Sequence, residues 1–344
     1  MKVFITGGAG FIGANVADHH LRSGDEVVLF DNLSRAGTRS NLAWLQDRHG
    51  RRPVLADGDV RDFEALASAL PADVGRVYHL AAQVAVTTSV SDPREDFEVN
   101  ALGTFNVLEA VRHRARDAIV LYASTNKVYG GMEHVKVVEE ETRYRYADWP
   151  DGVSEEEPLD FHSPYGCSKG AGDQYVRDYA RIYALRTVVM RQSCIYGPRQ
   201  FGVEDQGWIA HFCIAARLGR PITIYGNGKQ VRDVLWIDDL IAAYEAACQR
   251  IDVAAGQIYN MGGGPANSVS VWAEFGPMLE RLAGGTVEVA HADPRPGDQL
   301  VYISDIGKAR RDLAWTPRVS MSEGIERLWE WIDANVDLFL ARTG

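Results

Sequence analysis

The fold is decided near the start of the chain by Lys2-Val-Phe-Ile-Thr-Gly-Gly-Ala-Gly-Phe-Ile-Gly13, a short apolar strand that breaks into glycines and then into a helix. Gly7 allows a tight turn, Gly10 lets a pyrophosphate approach the backbone, and Gly13 lets the helix pack closely on the sheet. The helix from Phe11 to about Arg22 directs its free amides and positive dipole end at such a pyrophosphate. Glycine turns after strands are common, so the motif alone leaves a purely structural turn open.

Asp31 ends a second apolar strand, Val27 to Phe30, eighteen residues after Gly13. An acidic residue about twenty positions after the glycine turn accepts hydrogen bonds from the adenosine ribose of a dinucleotide. Its charge also repels a 2′-phosphate, which favours NAD over NADP. A helix or turn cap is the alternative role for Asp31, and the nearby Arg35 and Arg39 keep NADP open.

The composition is that of an ordinary globular protein, with 46% hydrophobic and 24% charged residues in a chain of 344. No apolar run approaches the ~20 residues of a membrane helix, and a net charge of −11 argues against nucleic acid or acidic lipid as a partner. The sequence therefore predicts a cytoplasmic protein with no membrane partner, no signal peptide and no metal. The predicted free thiols are Cys167, Cys194, Cys213 and Cys248.

Apolar strands alternate with amphipathic helices through the first two hundred residues, which predicts a doubly wound parallel α/β sheet of the Rossmann type. Beyond this region the alternation fades into glycine turns, which indicates a smaller mixed substrate lobe. We expect residues 1–196 with 232–262 to form the dinucleotide-binding domain, and residues 197–231 with 263–344 to form the lobe. The charged segment 131–160 is expected to be a solvated loop or a lid over the substrate.

Polar and small side chains follow the third and fourth predicted strands, where ligands of parallel sheets bind. Asp59 follows the strand Pro53 to Ala56, and its carboxylate has two open roles: accepting the adenine amine or capping the helix that begins near Asp62. The strand from Arg76 to Gln83 ends in small residues that let backbone approach phosphates and a second ribose. His79, inside that strand, is predicted to be an ordinary packed histidine.

A possible reactive centre follows the fifth strand, Ala118 to Ala123, in the hydroxyl-bearing run Ser124-Thr-Asn-Lys-Val-Tyr-Gly130. A later helix, opening at Ser163-Pro164, carries Tyr165 and Lys169 four residues apart and therefore on one face. An ammonium beside a phenol favours the phenolate, so the pair can supply a general base near neutral pH. The same pair on a surface would have no such role.

Three further polar residues are predicted to serve the site from other elements. Asn100 interrupts the apolar faces of a helix from about Arg94 to Arg112, where it could brace the active centre through a buried network. Arg232 and Arg295 occur in loop-like contexts suited to clamping a diphosphate. Surface salt bridges are the alternative for both arginines.

With these motifs in place, the chain resembles the extended short-chain dehydrogenases/reductases of the nucleotide-sugar epimerase and dehydratase class along nearly its whole length. Three longer strings, 124–130, 160–169 and 191–208, are most similar to the 2-epimerases of CDP-linked deoxyhexoses. The resemblance implies tightly bound NAD, a nucleotide-sugar substrate and a homo-oligomer, either dimer or tetramer, paired through the helices that bear Asn100 and Tyr165. One departure is Cys194, where many relatives carry an asparagine near the nucleotide phosphates.

The resemblance also assigns roles to individual positions, with Thr125, Tyr165 and Lys169 as the catalytic residues. The implied cofactor contacts are Gly7, Gly10, Phe11, Ile12, Gly13, Asp31, Asn32, Arg35, Asp59, Val60, Leu80, Ala81, Ala82, Gln83, Asn100, Ser124, Tyr165 and Lys169. The implied substrate contacts are Asn126, Gln192, Ser193, Arg232 and Arg295.

The expected reaction is inversion at C2 of a nucleotide-linked deoxyhexose, with CDP as the expected nucleotide. C2 is not next to a carbonyl, so inversion requires a transient 2-keto sugar and return of the hydride to its other face. Tyr165 is expected to take the hydroxyl proton, Thr125 to hold the reacting oxygen, and Lys169 to lower the pKa of the phenol and hold the nicotinamide ribose. C4 epimerisation would use the same residues and stays open, as does a catalytically silent NAD sensor. A 4,6-dehydratase is less favoured because Asn126 and Lys127 occupy the positions of its carboxylate pair.

Overall fold

The structure is a computed structural model that describes residues 1–50, 52–294 and 298–340. Its strands are β1 (Lys2–Thr6), β2 (Glu26–Asp31), β3 (Pro53–Asp57), β4 (Arg76–His79), β5 (Ile119–Thr125), β6 (Val137–Glu139), β7 (Tyr144–Tyr146), β8 (Arg186–Gln192), β9 (Cys194–Tyr196), β10 (Ile222–Tyr225), β11 (Val231–Trp236), β12 (Ile258–Met261), β13 (Ser268–Ser270), β14 (Val289–Ala292) and β15 (Val301–Tyr302). Its helices are α1 (Phe11–Arg22), α2 (Thr38–His49), α3 (Phe63–Ala69), α4 (Val86–Ser91), α5 (Pro93–Phe97), α6 (Gly103–Arg114), α7 (Ser163–Tyr183), α8 (Trp208–Arg217), α9 (Ile237–Gln249), α10 (Ile251–Ala254), α11 (Phe275–Ala283), α12 (Gly307–Leu313), α13 (Met321–Ala334) and α14 (Asp337–Leu340). Across the described ranges, no helix has both the length and the apolar composition needed to cross a membrane.

Seven strands of the described chain form one parallel sheet in the order β3, β2, β1, β4, β5, β8, β12. Side chains alternate between its two faces, so Val3 and Ile5 join one hydrophobic cluster and Phe4 joins the other. Helices α1 and α9 contribute to the first cluster, and α3, α6 and α7 contribute to the second. This architecture confirms the predicted doubly wound parallel sheet. The strand order reverses at β1, and a cleft opens at the carboxyl ends of the strands around this point.

A smaller mixed sheet is built around β11. This strand pairs in parallel with β9 and β15 and antiparallel with β13, while β10 and β14 form a separate parallel pair. The chain then returns to the large sheet through β12, which pairs with β8. Because β11 lies in the small sheet, the start of the stretch 232–262 is separate from the large sheet. The division of the chain into two domains at these boundaries stays a prediction.

The charged segment 131–160 folds as the antiparallel hairpin β6–β7 and a following turn. Tyr146 and Val153 are buried in a third hydrophobic cluster, together with Val231 and Tyr302 of the small sheet. The segment is therefore an anchored hairpin rather than a loop, while most of its charged side chains stay exposed to solvent. Among the described residues that line the cleft, none comes from this segment, and its role as a lid stays a prediction.

The predicted helix from Arg94 to Arg112 is divided in the structure. Helix α5 ends at Phe97, a π-helical turn covers Glu98–Leu102, and α6 begins at Gly103. A π-helical turn bulges the backbone and is frequent at functional sites. Asn100 lies at its centre, so its side chain is placed by the bulge rather than by a regular helix.

Candidate active site

A cleft of about 440 Å³ lies at the carboxyl ends of the large sheet. The predicted site residues in its lining are Gly7, Gly10, Phe11, Ile12, Gly13, Asp31, Asn32, Arg35, Asp59, Val60, Leu80, Ala81, Ala82, Gln83, Ser124, Tyr165, Lys169 and Gln192. The predicted site residues outside its lining are Asn100, Thr125, Asn126, Ser193 and Arg232. Arg295 lies outside the described residues.

The glycine turn forms one wall of the cleft from bare backbone. Gly7 has a φ of +68°, and a Cβ there would lie 2.7 Å from the backbone nitrogen of Ala81. A Cβ on Gly13 would lie 2.2 Å from the carbonyl oxygen of Gly7, so both positions exclude a side chain. Helix α1 follows Gly10, which has no side chain to cap the first amides. These features fit a pyrophosphate bound at the start of the helix.

Asp31 is buried at the end of β2, where it anchors the glycine turn. Its carboxylate accepts hydrogen bonds from the backbone amides of Ala9 at 2.9 Å and Leu33 at 2.8 Å. Burial raises the pKa of Asp31, and these two hydrogen bonds oppose the rise. The bond from Leu33 is the turn cap expected as the alternative role. Because a carboxylate can accept about four hydrogen bonds, this role leaves capacity for a ribose hydroxyl.

Asp59 is held by Arg61, which the sequence interpretation missed. The guanidinium of Arg61 donates to both carboxylate oxygens, at 2.9 and 2.8 Å, and Asn32 donates at 2.9 Å. The hydrogen bond from Arg61 is the largest cause that lowers the pKa of Asp59. Asp62, not Asp59, caps α3 by accepting from the amide of Ala65 at 3.0 Å. The capping alternative for Asp59 is therefore wrong.

Tyr165 and Thr125 meet where the start of α7 approaches the end of β5. The hydroxyl of Thr125 lies close enough to the phenol to influence its pKa, and both residues are buried. Burial is the main cause that raises the pKa of Tyr165, while the nearby hydroxyl of Thr125 and the charge of Arg35 lower it. Deprotonation of Tyr165 is therefore harder than that of an exposed phenol, and Thr125 offsets part of the cost.

Lys169 lies one turn after Tyr165 on α7, as the spacing predicted, but its ammonium contacts other groups. Its Nζ donates to the carbonyl oxygen of Ala123 at 2.5 Å and lies 4.3 Å from the ring centroid of Tyr122. Burial lowers the pKa of Lys169 to about 7, and two nearby carboxylates oppose this shift. Burial is the largest influence on the phenol, and Arg35 is a cation that lowers its pKa, so the lowering of the Tyr165 pKa by Lys169 stays a prediction.

Asn100 belongs to a buried hydrogen-bond network beneath the cleft wall. Its amide group accepts from the backbone nitrogen of Gln83 at 3.0 Å and donates to the backbone oxygen of the same residue at 2.9 Å. It also donates to Asp96 at 3.1 Å, and Asp96 accepts from the hydroxyl of Ser168 at 2.5 Å. Asn100 therefore braces the wall from behind, as the buried-network hypothesis expected.

A second buried network fixes α7 against the end of the large sheet. The hydroxyl of Ser124 donates to Asp173 at 2.7 Å, and the guanidinium of Arg191 donates to both oxygens of that carboxylate at 2.9 and 3.0 Å. Arg191 also donates to the hydroxyl of Tyr129 at 3.0 Å. The sequence interpretation missed this ion pair. Its available signal was a charged residue inside an otherwise apolar core strand.

Arg232 is a buried residue of strand β11, not part of a loop as predicted. Its guanidinium donates to Asp298 at 2.6 Å, and the ammonium of Lys127 lies 3.5 Å from the same carboxylate oxygen. Burial makes a surface salt bridge the wrong description of this group. Burial lowers the pKa of Lys127, and Asp298 opposes this shift. Two basic groups share one carboxylate, which is a donor set that suits an anion.

The side chains of the remaining predicted substrate residues form hydrogen bonds with other groups of the protein. Asn126 accepts from the preceding threonine hydroxyl at 3.3 Å, and Gln192 donates to the hydroxyl of Tyr244 at 2.5 Å. Ser193 donates to the carboxylate of Asp233 at 2.5 Å. Of these three predicted residues, Gln192 alone reaches the lining of the cleft.

The family model described as GDP-mannose 4,6 dehydratase matches residues 4–328 of the chain. The chain belongs to this family of extended short-chain dehydrogenases/reductases. It is 44% identical over 339 residues to CDP-paratose 2-epimerase of Salmonella typhi, a match that covers 96% of this chain and 99% of that protein. The family resemblance predicted from the motifs is thereby confirmed.

Solved structures of the same class match the fold of this family member. UDP-glucose 4-epimerase of Thermus thermophilus, in complex with NAD, matches with a TM-score of 0.80 and 32% identity over 97% of this chain and 99% of that chain. UDP-glucuronic acid 4-epimerase from Bacillus cereus, in complex with UDP-glucuronic acid and NAD, matches with a TM-score of 0.82 and 30% identity over 97% of this chain and 100% of that chain.

Proposed function

We propose that this protein is an NAD-dependent epimerase that inverts C2 of a nucleotide-linked deoxyhexose, with CDP as the nucleotide. The family and its relatives support a nucleotide-sugar epimerase or dehydratase reaction. The observation that carries the finer proposal is the 44% identity, over nearly the full length of both chains, to CDP-paratose 2-epimerase.

The cofactor is NAD, and the cleft provides the groups that would hold it. The bare backbone of the glycine turn suits the pyrophosphate, and Asp31 suits the adenosine ribose. Segment 80–83 offers small side chains along the wall, and Lys169 lines the cleft beside Tyr165. When bound, NAD supplies an acceptor for a hydride and can return the same hydride.

The chain's own residues would handle the proton and the position of the sugar. Tyr165 takes the proton of the C2 hydroxyl and later returns it, and Thr125, whose hydroxyl lies near the phenol, hydrogen-bonds the reacting oxygen. Burial excludes water from this pair, which protects a reactive ketone from side reactions. The donor groups of Lys127 and Arg232 around Asp298 suit the diphosphate of the substrate.

Two related reactions are the alternatives. A 4-epimerase would use Thr125, Tyr165 and Lys169 in the same way, and both solved structures described above are 4-epimerases of UDP-sugars. A 4,6-dehydratase removes the C5 proton and protonates the leaving C6 hydroxyl, which requires an acid and a base after the threonine. Asn126 and Lys127 stand there, so this chain lacks that carboxylate pair.

The test is to incubate the purified protein with CDP-, GDP- and UDP-linked hexoses and deoxyhexoses and to assign the products by NMR. We expect inversion at C2 of a CDP-linked deoxyhexose, with no added cofactor. Inversion at C4 alone would contradict the proposal, as would a 4-keto-6-deoxy product. The variant Tyr165→Phe is the control, because any product that it forms at the wild-type rate does not come from the proposed centre.

A further inference from the structure

His79 is buried at the end of β4, with 1% of its surface exposed, and both of its ring nitrogens have partners. Its Nδ1 lies 2.7 Å from the hydroxyl oxygen of Thr6 in β1, and its Nε2 lies 2.9 Å from the hydroxyl oxygen of Thr104 in α6. Its ring stacks on that of Tyr122, with centroids 5.5 Å apart. The imidazole thus bridges a strand and a helix that pack on either side of it.

The hydrogen bonds around His79 define one tautomer. The hydroxyl of Thr104 donates to the carbonyl oxygen of Asn100 at 2.5 Å, so its oxygen accepts from the ring and Nε2 carries the proton. The unprotonated Nδ1 then accepts from the hydroxyl of Thr6. That hydroxyl oxygen in turn accepts from two amides of segment 80–83, each at 3.2 Å. Every donor in this chain has an acceptor, and burial keeps the ring neutral by lowering the pKa of His79 to about 3.

Segment 80–83 forms this wall of the cleft, and hydrogen bonds fix it at both of its ends. Thr6 fixes the amides at the start of segment 80–83, and the side chain of Asn100 fixes both backbone groups at its end. Asn100 also contacts Ser168, which precedes Lys169 on α7. His79 orients the Thr6 hydroxyl at one end of this wall and, through Thr104, bonds the backbone of Asn100 at the other, so a change at His79 would loosen both attachments.

We propose that His79 is a positioning residue: as a neutral imidazole protonated on Nε2, it couples Thr6 to the π-helical turn and holds segment 80–83 in register with Tyr165. The contact of this segment with NAD rests on the proposed function. The tautomer of His79 and the hydrogen bonds that fix segment 80–83 do not depend on which sugar reacts. His79 touches neither reacting group, so it acts through the backbone that it fixes.

Three substitutions distinguish the hydrogen bond of His79 to Thr6 from its hydrogen bond to Thr104. His79→Phe keeps an aromatic ring against Tyr122 and removes both hydrogen bonds. His79→Asn places a polar atom near the position of Nδ1 and keeps the bond to Thr6, whereas His79→Gln reaches the position of Nε2 and keeps the bond to Thr104. We expect kcat to fall by about 10- to 100-fold in His79→Phe, because a displacement of about 1 Å is enough for such a loss. The KM for the sugar nucleotide should stay near the wild-type value, and bound NAD should dissociate faster. Asn and Gln should each recover part of both losses.

The matched control is His20, which is equally buried and bonds Tyr78 at 2.9 Å and Asp25 at 2.8 Å, away from the cleft lining. His20→Phe should lower thermal stability but leave kcat and the NAD off-rate unchanged. If it changes them as much as His79→Phe does, the effect is general destabilisation and the proposal is wrong. Wild-type kcat and NAD retention in His79→Phe would also overturn it.

A spectroscopic measurement tests the tautomer without any variant. Long-range ¹H–¹⁵N spectra of the wild-type holoenzyme should show His79 protonated at Nε2 alone, with no titration between about pH 5 and 8, where an ordinary histidine titrates. A ring protonated at Nδ1, or one that titrates in this range, would overturn the proposal even if His79→Phe did not fold. Because neither this spectrum nor NAD retention involves the sugar, an error about C2 chemistry would leave both results unchanged.

Discussion

Tyr165 is the residue that we expect to transfer the proton, and its replacement by phenylalanine removes the hydroxyl while keeping the buried ring. Tyr165→Phe should lower kcat by about 10²- to 10⁴-fold, the usual size of a general acid–base contribution. NAD content, measured after denaturation of the protein, should be unchanged. Tyr175→Phe is the control, since Tyr175 lies on the same helix with 48% of its surface exposed. Near-normal turnover in Tyr165→Phe would place the base elsewhere.

Lys169 makes stability depend on pH, because burial lowers its pKa from 10.5 to about 7. Between these values the unfolded chain binds more protons than the folded protein, so the contribution of this lysine to stability rises with pH by up to about 1.4 kcal/mol per unit. Lys169→Met removes that dependence. In urea unfolding, the free energy of unfolding of Lys169→Met should therefore increase relative to that of the wild type as the pH falls from about 9 to 7. A stability difference that does not change with pH would contradict the shifted pKa.

The ion pair between α7 and β8 is the strongest polar link between these elements. Arg191 and Asp173 are both buried, so Asp173→Asn leaves a buried guanidinium without its counter-charge. Loss of one partner of a buried pair costs about 3–5 kcal/mol. We expect a decrease of that size in the free energy of unfolding. Glu323→Gln breaks the exposed pair with Arg327 on α13 and should cost less than about 0.5 kcal/mol. Equal losses in the two variants would contradict the role of the buried pair.

Elements governed by local pattern could be predicted from the sequence. The glycine turn, α1 and the strand ending at Asp31 were correct because glycine spacing and apolar runs act over a few residues. The π-helical turn around Asn100 could not be predicted, because one added residue in a turn leaves the apolar periodicity almost unchanged. Arg232 was placed in a loop because two adjacent charges, Arg232 and Asp233, hide the apolar pattern of a buried strand.

The candidate site was predictable where the motif itself forms the wall, and less so where distant elements meet. Most predicted cofactor residues line the cleft, because parallel strands bring their carboxyl ends to one edge. The partners Arg61, Asp96 and Asp173 were missed, since they depend on tertiary contacts. The orientation of Lys169 was also missed, because helical spacing sets a shared face but not the acceptor that the ammonium reaches.

At the scale of the whole molecule, apolar side chains are exposed on the helices that are predicted to form the interface between two copies of the chain. Phe97, Tyr175 and Ile182 are 58%, 48% and 65% exposed, and Phe105 packs its ring against Tyr175 at 5.9 Å. A charge in this patch should oppose association. We expect Ile182→Glu to give a smaller particle than the wild type in light scattering. Val253→Glu is the control, since Val253 is 53% exposed on α10. An unchanged mass for Ile182→Glu would argue against pairing through this face.

The proposed hydride transfer away from C2 and back would require the NAD cleft and the proton-transfer pair to act on one sugar carbon. The most direct test uses a CDP-linked dideoxyhexose with deuterium at C2, with the product analysed by NMR and mass spectrometry. We predict inversion at C2 with the deuterium still attached to C2, because the same hydride leaves and returns within one closed site. Product inverted at C2 that has lost its deuterium to solvent would contradict this mechanism, and product inverted at C4 alone would contradict the proposed function.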